Sequence, residues 1–182
     1  MIDSQQASEA LAEIDAIARR VRQSRIYQLS SLLLIMWGAL VFAGNIATFL
    51  WPRWAGYAWL VVDAAGIAGS FAISVYSHSR ARTRSFDMRT LAAFLLFLAF
   101  GMFCCWLGHF TPRQIGTFWA LYFMLFYTIA GLWVGNAYVV IGLGISALTL
   151  TGYFLVGDWF EPWMAVVNGG GLLLGGLWMR RS

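Results

Sequence analysis

The chain has 182 residues, 60% of them hydrophobic and 11% charged, with a mean hydropathy of +0.70. That balance excludes an ordinary soluble domain, because so much apolar side chain is accommodated only in lipid. The net charge of +4 comes from twelve arginines and no lysine. They flank apolar runs instead of forming a basic face, which excludes a nucleic-acid footprint.

Residues 1–28 form a polar leader. Asp3-x-x-Gln6 resembles a capping box, and Leu11, Ile14, Ile17, Ala18 and Val21 recur at helical spacing. Glu9, Glu13 and Asp15 come early while Arg19, Arg20, Arg22 and Arg25 come late, an order that suits the helix dipole. The leader is acidic at its start and lacks a small-residue cleavage site, so it reads as a cytoplasmic amphipathic helix and not as a signal peptide. It lies on the membrane or docks a partner.

Six apolar spans follow at 29–50, 54–76, 91–110, 115–134, 137–156 and 159–178, each near the ~20 residues a bilayer requires. A break at Gly135-Asn136 is needed, since one helix over 115–156 would be about twice the hydrocarbon thickness. Residues 179–182 are a short tail. Arginines crowd the leader, the 77–90 segment and the tail, whereas the opposite turns hold only Arg53 and Arg113. The positive-inside rule then puts both termini in the cytoplasm of a bacterial-type cell membrane. The expected fold is an all-α polytopic bundle of six transmembrane helices in three hairpins, 1–2, 3–4 and 5–6.

Two internal similarities support hairpins of one orientation. Pro52-Arg53-x-x-Gly56-x-x-Trp59 matches Pro112-Arg113-x-x-Gly116-x-x-Trp119. Phe49-Leu50, Trp54, Val61-Val62-Asp63 and Gly66 align without gaps on Phe154-Leu155, Trp159, Val166-Val167-Asn168 and Gly171.

Asp63 is the residue that demands explanation. It stands near the middle of the second span, where a charge costs roughly 2.5–3.5 kcal/mol on insertion scales. Steps of three and four from it collect Gly56, Trp59, Gly66, Ser70, Ser74 and Ser77, a small and hydroxylic track. Such a track suits a helix interface or a wet cavity. The alignment gives Asn168 an equivalent depth, with Gly171 and Gly175 forming a GxxxG beside it. Asn45 lies in the first span, two turns beyond Gly38. Helices 1, 2 and 6 are therefore expected to converge, with Asp63, Asn168 and Asn45 facing one another and Ser70 and Ser74 extending the path. Two readings of that set remain: a hydrogen-bonded joint between helices, or a proton- or cation-sensitive site on a solute path.

Other residues carry less chemistry. His78 and His109 fall on opposite sides of the membrane, and Cys104 and Cys105 are adjacent, so neither pair has metal-ligand or haem spacing. No metal, cofactor or catalytic constellation is expected. Arg80, Arg82 and Arg84 form a basic loop suited to anionic headgroups or a partner. Trp51, Trp54, Trp106, Trp159 and Trp163 fit an outer aromatic belt, Trp178 an inner one. The chemistry favours a protein that passes a small solute or ion, with Asp63 as its proton- or cation-sensitive group. The rival is an accessory or sensor subunit whose leader and Arg loop recruit a cytosolic or membrane partner. The expected partners are the bilayer, another copy of the chain, and whatever residues 1–28 dock.

Overall fold

The computed structural model describes the backbone of residues 4–81 and 88–181, with side chains over 11–14, 27–76 and 92–181. Among the described residues every regular element is helical. In order these are α1 (Ser4–Leu50), a 3₁₀ turn (Pro52–Trp54), α2 (Ala55–Ala81), α3 (Met88–Leu107), α4 (Pro112–Val134) and α5 (Asn136–Leu155). A short α6 (Phe160–Met164) passes through a π-helical turn (Ala165–Gly170) into α7 (Gly171–Arg181) without a break.

Four helical segments are long and apolar enough to cross a membrane: Tyr27–Leu50, Pro52–Tyr76, Pro112–Val134 and Asn136–Leu155. The helix of the expected third span is offset from 91–110 and has the same length, Met88–Leu107 with 20 residues. Its helix stops at Leu107 because His109 takes a left-handed φ of 46°. The fourth starts earlier than 115, at Pro112. Thr111 and Gln114 form a reciprocal capping box, and Pro112 fills a first-turn position that has no use for an N–H.

The leader and the first span are one helix of 47 residues, about 70 Å long. Nothing in the sequence between them breaks a helix: there is no Pro or Gly from residue 4 to residue 37. Residues 4–26 therefore extend the axis roughly 35 Å beyond Tyr27, with Leu11 and Ile14 exposed.

The closest-packed pairs are α4 with α5, and α1 with the run formed by α6, the π turn and α7. They cut across the expected hairpins. Of the three, α1–α2 is well packed, whereas α3 touches α4 only lightly, chiefly by the stack of Phe97 on Tyr122 at 4.0 Å. The α4–α5 turn falls at Gly135 as the span arithmetic requires. Its φ of 153° and ψ of 156° form a conformation that only glycine takes readily. Gly131 then lets α5 approach: a Cβ there would lie 2.7 Å from the Val139 nitrogen.

The final run is wedged between α1 and α5 by two glycine faces. Gly169 and Gly176 meet α1, where a Cβ on Gly169 would fall 2.6 Å from Phe42 Cα and one on Gly176 2.9 Å from the Ser31 carbonyl. Gly171 and Gly175 meet Ile145 and Ile141 of α5. With little hydrophobic drive between helices in lipid, close backbone approach of this kind is what holds them. Ser31 adds a buried hydrogen bond, its hydroxyl donating to the Gly176 carbonyl at 2.6 Å. Leu34, Met124, Tyr138, Ile141, Ile145, Val167, Leu172 and Met179 form the core.

Candidate functional site

The small and hydroxylic track on α2 does form a helix interface. Trp37 of α1 lies over Gly66, where a Cβ would come within 2.5 Å of its ring, and its indole N–H donates to Ser70 Oγ at 3.0 Å. Two to three turns toward the proline-bearing end, Trp59 donates to Thr48 Oγ1 at 3.1 Å. Val62 is buried between them and packs near Gly44. Ser74 is half-buried on the same side of α2.

Asp63 is not part of that contact. Successive residues of an α-helix are turned by about 100°, so burying Val62 carries Asp63 out past the edge of the interface. It is exposed, flanked by the exposed Leu60 and Ile67. No hydrogen bond or ion pair engages its carboxylate among the described residues.

Asn168 and Asn45 are both buried, but neither meets Asp63. The Asn168 amide donates to Thr149 Oγ1 of α5 at 3.3 Å and contacts Met164 Sδ at 3.3 Å. Asn45 turns back on its own helix and donates to the Val41 carbonyl at 2.8 Å. The expected convergence of the three side chains is absent, and the helix geometry explains it. At the aligned positions, Val61 and Val166 are both exposed and Val62 and Val167 both buried. The next residue differs: Asp63 sits in an ordinary α-turn and swings out. Asn168 sits in the π turn, whose wider i→i+5 winding keeps it and Gly169 inside together. The sequence gives no signal for that turn beyond the run of three glycines that follows Asn168.

The basic-loop residues Arg82 and Arg84 lie outside the described residues, as does the side chain of Arg80 on the last turn of α2; Ser77 likewise has no described side chain.

A site that sequence reasoning missed lies at the proline-bearing end. Arg113, expected to be a simple turn charge, reaches across to the end of α5. Its guanidinium donates to the carbonyls of Tyr153 at 2.9 Å, Gly152 at 3.2 Å and Gly157 at 3.1 Å, and to that of Val156. It also lies 4.5 Å from the centre of the Phe160 ring. A helix C-terminus leaves carbonyls without partners and carries partial negative charge, and a planar cation with five donors satisfies both. The repeat did not foresee this, because Arg53, its counterpart, is exposed. What the two motifs share is the tryptophan returning to the preceding helix: Trp59 to Thr48, and Trp119 to Gly101.

An open depression of about 320 Å³, lined by Ala47, Trp51, Trp54 and Ala58, lies between α1 and α2 at the same end. Its walls are apolar and present no convergent polar groups. Among the described residues, no three His, Cys, Asp or Glu side chains cluster as metal ligands would.

These features define an all-helical membrane protein whose polar groups mostly join helices to one another. No protein-family model, curated protein or solved structure matches the chain.

Proposed function

We propose that this protein is a non-enzymatic accessory subunit of a membrane. In this reading a six-span bundle, with both termini cytoplasmic, holds a helix out from the bilayer for a cytosolic partner. The observation that carries it is α1. It continues unbroken from the span Tyr27–Leu50 back to Ser4, with Leu11 and Ile14 exposed. A helix meant only to lie on the headgroups has to turn at the membrane surface; this one stays helical without a break. Leu11, Ile14, Ala18 and Val21 follow three-four-three spacing, the stripe by which one helix pairs with another. The six-span count is supported by Phe160–Arg181, which is helical throughout despite its π turn, and by the arginine distribution.

The test is site-specific photocrosslinking in cells from positions 11 and 14. The expected outcome is a discrete adduct from both, lost when Glu9 is probed instead, while deletion of residues 1–24 leaves the bundle folded. Membrane-inserted protein that gives no adduct from either position refutes the reading.

The exposed carboxyl of Asp63 favours a second reading, in which it is a proton- or cation-sensitive group on a solute path. Asp63→Asn then abolishes flux or its pH dependence in vesicles. An Asp63→Leu protein that is folded and fully active ends that reading.

A further inference from the structure

Asp63 is the central acid of the apolar span Pro52–Tyr76 and points away from the bundle. On one side of it lies the edge of α2 packed on α1, formed by Trp59, Val62, Gly66 and Ser70. On the other lies the exposed apolar surface of Leu60, Ile67 and Phe71. The flank has room for a neighbour: a Cβ added at Gly56, two turns away on the same side, would meet nothing within 4 Å.

Among the described residues nothing neutralises this carboxylate. No Lys, Arg or His occurs from residue 54 to 76, nor in the interior of any other span. Arg53 lies in the turn at one end of α2, and Arg113 is committed to the carbonyls of α5. Arg80 is 17 positions on, about 25 Å along the helix axis. A second copy in the same orientation brings only another Asp63 to this depth, carboxyl against carboxyl, which is repulsive. Its two intramembrane asparagines are buried in its own bundle.

We infer that the open flank of α2 docks a transmembrane helix of a different protein carrying a Lys or Arg at mid-depth, with Asp63 as the ion-pair acceptor. Charge complementarity selects this occupant, because a carboxylate facing lipid is stabilised by a cation at its own depth. The inference deepens the subunit reading by naming a partner class inside the membrane. It does not depend on what residues 1–28 dock.

The test uses full-length protein reconstituted in neutral-lipid vesicles with three fluorescent polyleucine transmembrane peptides. One has a single central Lys, one has that Lys moved to its end, and one has none. Energy transfer is expected to show the central-Lys peptide binding at least tenfold more tightly than the other two. Asp63→Leu abolishes that preference, and it leaves helix content and elution volume unchanged because the carboxylate makes no hydrogen bond or ion pair among the described residues. Deletion of residues 1–24 leaves the preference intact, which separates this result from the fate of the cytosolic docking reading. Equal binding of the three peptides, or a preference that survives Asp63→Leu, overturns the inference.

Discussion

Replacing Arg113 by alanine removes the clamp between the turn that opens α4 and the end of α5. Its guanidinium serves four carbonyls. The Gly152 carbonyl also accepts the Val156 N–H at 3.1 Å, so it keeps a partner. The carbonyls of Tyr153, Val156 and Gly157 lose the donor that caps them. A hydrogen bond to a charged donor contributes about 1.5–3 kcal/mol when shielded and less where water competes. The contact with Phe160 adds about 0.5–2 kcal/mol. Arg113 is half-buried, so water rescues part of the loss, and the net cost is about 2–4 kcal/mol. For a chain of this size that lowers the unfolding midpoint by roughly 5–15 °C. Tryptophan fluorescence during heating in detergent measures it. Lysine keeps the charge but not the planar fork, so Arg113→Lys recovers less than half of the loss. If Arg113 served only to orient the chain in the membrane, both variants would unfold with the wild type. An unchanged midpoint in Arg113→Ala refutes the capping argument.

Two further outcomes follow from backbone geometry. Gly135→Ala forces a side chain into a conformation that glycine alone tolerates. It costs about 1–3 kcal/mol, read as a lower midpoint with the α4–α5 contact kept; an unshifted midpoint means the turn is not tight. Gly169→Ala drives a methyl to 2.6 Å from Phe42 Cα, a backbone atom that cannot swing aside. It is expected to destabilise by about 1–3 kcal/mol and to make a disulfide engineered between α1 and α7 form more slowly, whereas Gly170→Ala, with open space around it, changes neither.

Residue patterns made much of the architecture legible. The apolar runs located the helices, and span arithmetic located the turn at Gly135. The small-residue track correctly marked the face of α2 that meets another helix, through Gly66 and Ser70. Its error was angular. Trp59, Gly66 and Ser70 lie on both sides of the contact line, and a rule of threes and fours cannot tell whether Val62 or Asp63 completes the set. Volume decides it, because Val62 packs beside Gly44 and Trp37 covers Gly66. Asn168 is buried but bonds Thr149 instead of facing Asp63, since no periodicity announces a π turn. Arg113 was beyond local reasoning altogether: its acceptors lie 39 to 44 residues away. The Thr111-x-x-Gln114 cap, by contrast, is legible as a local motif.

The run from Phe160 to Arg181 occupies the middle of the bundle, yet a ribosome makes it only after every helix it joins. Until it emerges, α1 leans chiefly on α2, and the α4–α5 pair meets the amino-terminal half mainly through Tyr138, which donates to Ser30 Oγ and lies against the Tyr27 ring. Biogenesis therefore passes through a stage in which two loosely joined helical clusters wait in the bilayer for the segment that packs them together. Loss of this run is consequently far more damaging than its small mass suggests, while a change of similar size in the outlying α3 leaves the assembly step untouched.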